Sequence, residues 1–170
     1  LKENSFLHSK IANKDVNSDD VLQAIEDVDA QYVVFAGYGG QILSASHFEG
    51  HKKYIHCHPG WLPLERGSTT IYYSLLNNRP PSVTAFFMSA EIDKGGMLVR
   101  KSFPRPNDMI NFDVFGDNLL RAETLKYALE DLGKDNFTVN APSGEEDEEF
   151  FEHGFVWCTS GLRLSQPKGT

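Results

Sequence analysis

Cysteine is scarce: Cys57 and Cys158 are the only two in 170 residues. Two are too few for a disulfide framework, so a reducing cytosol is the expected setting. Long apolar runs are missing as well. None approaches the roughly 20 residues needed to cross a bilayer, and the first residues lack the charged-then-apolar layout of a signal peptide. Positive charge is in short supply, with 16 Lys and Arg against 24 Asp and Glu and a formal net charge of −8. That balance argues against a broad surface for nucleic acid or anionic membrane, because such surfaces need clustered Lys and Arg. A local basic pocket stays open. No internal repeat or low-complexity linker interrupts the chain. It begins at Leu1 and not at a methionine, as an internal segment or a processed product does.

A hydrophobic share of 40% and an aromatic share of 12% are enough for a core. The length suits one α/β domain with a small appendage. Phe6 to Ile11 reads as a short strand. Asn17-Ser18-Asp19-Asp20 offers capping side chains and early acidic residues for a helix whose apolar face is Val21, Leu22, Ile25 and Val28. Tyr32 to Ala36 is a continuous apolar run, expected as a strand covered on both sides. Tyr54 to His58 reads as a further strand stopped by Pro59-Gly60, and Trp61 to Leu64 as a stiff loop. Ser68 is placed to cap a helix over Thr69 to Leu76, which Asn77 to Pro81 breaks. Ser82 to Met88 and Met97 to Arg100 form a hairpin-like strand pair around the loop Glu91 to Gly96. Asn118 to Leu129 is the strongest helix. A core over 1–133 is expected, then an extension over 134–170 with an acidic run at Glu145 to Glu149 and a loose tail.

The densest chemical signal is His56-Cys57-His58-Pro59-Gly60. Residues two apart on a strand point the same way, so His56 and His58 project together at the strand's C-terminal end, where open α/β sheets bind ligands. Cys57 then faces the core. The plain alternative is two surface histidines at a strand end. Asp93 lies in the hairpin loop beside Glu91, Lys94 and Gly95-Gly96. A carboxylate next to a histidine raises its basicity and fixes its tautomer, although acidic residues are also ordinary in turns. Arg66-Gly67-Ser68 at a helix start can hold an anion, and an ordinary capped helix explains them equally. Tyr38-Gly39-Gly40 can bring backbone close to a flat ligand, or can simply be a turn.

Together these segments resemble the formyltransferases that use 10-formyltetrahydrofolate, a family spanning glycinamide ribonucleotide, methionyl-tRNA and sugar-amine acceptors. The family's pattern is an Asn-x-His strand end, a Leu-Pro, often an Arg-Gly, and a distant Asp before Gly. Here it reads His56-Cys57-His58-Pro59, Leu62-Pro63, Arg66-Gly67, then Asp93 before Gly95. The likeness runs from about Val33 to Arg100, and Arg66 to Leu76 looks closer to the sugar-modifying branch. The resemblance implies a Rossmann-like α/β fold, with the family's N-terminal strand-helix-strand-helix unit apparently lacking. It implies a formyl group moved from 10-formyltetrahydrofolate to a primary amine, of an amino sugar nucleotide on this likeness; cysteine count, charge and the lack of long apolar runs add the expectation of a cytoplasmic setting without nucleic acid or membrane. Catalysis would fall to His56, His58 and Asp93. The pterin would lie against Gly40, Gln41, Ile42, Leu43 and Ile92, and the acceptor near Arg66, Gly67 and Ser68. His56 stands where the family has asparagine, a donor to the developing oxyanion; a ring N–H can take that role, with a pH dependence asparagine lacks. Two alternatives stay open: a catalytically silent binding domain of the same fold, and a metal-dependent hydrolase using His56, His58 and Asp93. Neither the amine acceptor nor the oligomeric state is legible.

Overall fold

The computed structural model describes residues 10–38, 40–107, 109, 112–134, 138–139 and 149–151. Residues 6–9 of the expected strand at Phe6 to Ile11, most of the acidic run and the tail lie outside them, and Lys10 and Ile11 are not in a strand. Four strands make a mixed sheet in the order β1 (Tyr32–Val34), β2 (Lys53–His58), β4 (Ser82–Phe87), β5 (Met97–Ser102). β1 and β2 are parallel, whereas β2–β4 and β4–β5 are antiparallel. A second, two-stranded sheet pairs β3 (Glu65–Gly67) with β6 (Glu149–Phe151). Among the described residues the α-helices are α1 (Asp19–Glu26), α2 (Thr70–Leu76) and α3 (Asp117–Leu132).

The period-2 alternation of the strands sorts the main sheet into two faces. On one, Ile55 and Cys57 of β2, Val83 and Ala85 of β4 and Leu98 of β5 form the core with Phe103 and Ala128. Leu120, Leu125 and Leu132 of α3 pack against it. Burial pushes the Cys57 thiol up to about 11, so it behaves there as a small apolar side chain. The opposite face carries Phe86 and Met97, packed with Leu62, and the two histidines of β2. Here sequence and structure agree: Cys57 is core, and its neighbours point away from it.

Three expectations are corrected. β1 is not covered on both sides: among the described residues it pairs only with β2, as an edge strand, and Val34 is exposed. α1 stops at Glu26, so Val28 does not extend its apolar face and is 57% exposed. α2 is capped by Thr69 in the left-handed region, with no side-chain capping bond, and not by Ser68. Its first turn is held instead by the Thr70 hydroxyl, which donates to the Pro59 carbonyl. The stretch Glu65–Gly67, for which no element was expected, is strand β3; three residues are too few to show a period.

Candidate active site

His56 and His58 sit opposite Phe86 and Thr84 of β4. The chain after β2 folds back over this face. The Leu62 N–H donates to Thr84 Oγ1 at 3.0 Å, and the same hydroxyl donates to the Gly60 carbonyl at 2.7 Å. Arg100 of β5 donates to the Leu62 carbonyl at 2.9 Å and stacks over the Trp61 ring, 4.6 Å from its centroid. Gly60 is needed for this close return: a Cβ there would lie 2.9 Å from His58 Nε2 and 3.1 Å from the Glu65 carbonyl.

The return places the Glu65 carbonyl 2.8 Å from His58 Nε2. A carbonyl only accepts, so Nε2 carries the hydrogen and Nδ1 is the free position of the neutral ring. Nδ1 faces Asp93 Oδ1 at 3.6 Å, beyond a direct hydrogen bond. His58 is 2% exposed. Burial holds its imidazole below the ordinary value, opposed by Asp93 and the Glu65 carbonyl, while His56 and Arg121 add to the lowering.

Glu65 is itself an anchored, buried charge. Its carboxylate accepts from the Trp61 N–H at 3.0 Å and the Ser74 hydroxyl at 2.6 Å, and pairs with Arg79 Nε at 3.1 Å. A carboxylate 2% exposed is tolerable only with such partners. The residue that orients His58 through its carbonyl is thus pinned by its own side chain.

Asp93 arrives from the β4–β5 loop. That loop leaves β4 at Phe87, opposite Ile55, so reaching His58 requires it to fold back across the histidine face. Two features allow this. Asp93 takes φ 53°, a left-handed conformation that Asp adopts more readily than most residues. Gly95 passes so close to β4 that a Cβ would lie 1.6 Å from the Phe87 carbonyl oxygen. The Gly67 N–H then donates to Asp93 Oδ2 at 3.2 Å, holding the carboxylate on its far side.

His56 is half-buried between two rings, 6.0 Å from the centroids of both Phe35 and Phe86. Its Nδ1 lies 3.1 Å from the Phe35 carbonyl just past β1. Burial lowers its affinity for a proton; the Phe35 carbonyl, Asp93 and Asp117 oppose that, and Arg121 reinforces it. Both histidines are therefore neutral at neutral pH.

The remaining expected positions divide. Ile42 and Ile92 are 59% and 57% exposed, and Tyr38 is 90% exposed, as apolar walls for a flat ligand would be. Gln41 is half-buried, Gly40 is exposed at φ 83°, and Leu43 is buried in packing. Arg66 is buried within β3, Gly67 is committed to Asp93, and Ser68 is half-buried beside them. Two contributors escaped the sequence reading: the Phe35 carbonyl and the Glu65 side chain. No local pattern marks a backbone oxygen, and nothing in the sequence sets Glu65 apart from the other acidic residues. Among the described residues, no group of three or more His, Cys, Asp or Glu side chains is placed to hold a metal ion. Likewise none of their helices is long and apolar enough to cross a membrane.

Neutral imidazoles beside a carboxylate, at the edge of an α/β sheet, can accept and relay protons, the work required in group transfer to an amine. The formyl transferase family model matches residues 2–108, and the chain belongs to that family. It is 30% identical over 95 residues to a methionyl-tRNA formyltransferase of Sulfurovum sp., covering 55% of this chain and 31% of that protein. Among solved structures, a sugar N-formyltransferase from Shewanella sp superposes with TM-score 0.62 at 25% identity, covering 81% of this chain and 54% of that one. A phosphoribosylglycinamide formyltransferase from Campylobacter jejuni superposes with TM-score 0.57 at 26% identity, covering 68% and 61%. The chain thus spans about a third of that curated relative and a little over half of each structure. The fold is the Rossmann-like α/β fold of these enzymes.

Proposed function

We propose that this protein transfers a formyl group from 10-formyltetrahydrofolate to the primary amine of an amino sugar nucleotide. The observation that carries the reading is the convergence of His58, held by the Glu65 carbonyl, with Asp93, held by the Gly67 N–H. Exposed Ile42 and Ile92 suit the apolar faces of a pterin, and the formyl donor supplies an electrophilic carbon that the amine attacks. His58 takes part in the proton movement through Nδ1, the nitrogen left free by Glu65, and Asp93 orients it and favours its charged form. The sugar acceptor is favoured over tRNA on one ground: a net charge of −8 is ill suited to a polyanion. The test incubates the full-length protein with amino-sugar nucleotides and 10-formyltetrahydrofolate. A mass gain of about 28 units on one of them, one added carbonyl, is expected for this reaction class. No gain with any amino-sugar nucleotide, together with formylation of methionyl-tRNA, would reassign the acceptor.

A further inference from the structure

His56 and His58 share one face of one strand, yet opposite nitrogens are tied down. For His58 it is Nε2, held by the Glu65 carbonyl; for His56 it is Nδ1, held by the Phe35 carbonyl at 3.1 Å. Since that carbonyl only accepts, His56 Nδ1 carries the hydrogen, and the neutral ring keeps a lone pair on Nε2. A neutral ring held this way has no N–H left for an oxyanion, so the donor role expected from the family's asparagine is not open to it. We propose that His56 instead receives the attacking amine, its Nε2 accepting an N–H of the substrate and taking that proton as the new C–N bond forms.

The inference rests on the formyl-transfer reading and assigns it a residue. Accepting one N–H turns the amine's lone pair away from the ring and toward the formyl carbon. As the nitrogen–carbon bond forms, His56 becomes an imidazolium. It returns the proton to the folate nitrogen as the old carbon–nitrogen bond breaks, so one formamide and one tetrahydrofolate leave with no other reactant. The charged and titratable groups around His56 fit this use. Asp93 from the β4–β5 loop and Asp117 from α3 favour the transient imidazolium, while Arg121 of α3 opposes protonation before the substrate arrives. The Phe35 and Phe86 rings hold the imidazole in place from two sides.

Two measurements on the full-length protein decide the matter. In two-bond proton–nitrogen spectra of 15N-histidine-labelled protein at neutral pH, with His56 assigned by its loss in His56→Asn, the expected pattern is a protonated Nδ1 and a bare Nε2. The opposite tautomer overturns the proposal. The second is kcat/KM for formyl transfer to the amino-sugar nucleotide from about pH 5 to about pH 9, in wild type and His56→Asn. Losing the base should lower the rate about 100-fold and make the acid limb shallower by one proton. If His56 were an oxyanion donor, the asparagine would restore the family's own donor, and a rate at or above wild type would overturn the proposal while leaving formyl transfer intact. No transfer by wild type at any pH would defeat the formyl-transfer reading, and this proposal with it.

Discussion

The stretch from residue 10 to 50 and the stretch from 53 to 103 are of similar length, yet the two are buried quite differently. In the first, only Leu43 and His47 are buried among the described residues, and Val28, Val34, Tyr38 and Ile42 are exposed. In the second, Ile55, Val83 and Ala85 are fully enclosed, and every side chain of the proposed reaction centre comes from it. The front stretch sends one backbone oxygen into the site, that of Phe35. It is tied to the sheet by His47, whose ring nitrogens meet the Tyr54 hydroxyl at 3.0 Å and the Val16 carbonyl at 3.2 Å. Reactive geometry is thus held by the packed region, and the front supplies an orienting contact and exposed apolar surface.

That contrast can be broken first at the reaction centre. His58→Ala and Asp93→Asn should each lower formyl transfer by the full-length protein about 1000-fold, read as product formed per unit time. Wild-type-like rates in both variants would remove the assignment. The next largest effect belongs to the core. Ile55→Ala empties a fully enclosed position and should cost about 4 kcal/mol of stability, measured by urea unfolding.

Glu65→Ala takes the buried carboxylate from Arg79 and the acceptor from the Trp61 N–H, while the Ser74 hydroxyl keeps only the Thr70 carbonyl. A loss of about 3 kcal/mol is expected, the low end for a broken buried pair because Arg79 is itself partly exposed. Activity should fall with it, since the carbonyl that orients His58 moves.

A smaller effect is expected from acid. His47, His56 and His58 all bind protons less well in the folded chain, chiefly through burial. The unfolded chain takes protons up first as pH falls, so the stability contributed by the neutral rings is full above about pH 6.5. It is lost as pH drops through the lowered folded values. Melting temperatures recorded across that range should decline on the acid side, and a flat profile would contradict the buried neutral state. The smallest effect lies in the front stretch, where Val28→Ser should change unfolding free energy by less than about 0.5 kcal/mol; a large loss there would erase the distinction between the two regions.

Much of the site was legible because its signals are local. His56, Cys57 and His58 alternate on one strand, so their faces follow from the pleat alone, and Pro59-Gly60 marks where pairing must end. The strands at Ser82–Phe87 and Met97–Ser102 announce themselves by β-branched and aromatic content and a glycine-bearing loop. β1 is less covered than its composition suggests, because an apolar run reports what a strand could bury and carries no information on which neighbours it finds. Ser68 does not cap α2 because the helix start is set by the returning loop.

By itself the order of residues determined the alternation that puts two imidazoles on one face and a cysteine on the other, and the breakers that end each element. Only the tertiary structure decided which nitrogen of each ring is occupied, that Glu65 is buried, and that Asp93 lies beside His58. Those contacts join residues brought together by the path of whole loops across the sheet, and a proton's position on a ring follows from which carbonyl the path delivers to it.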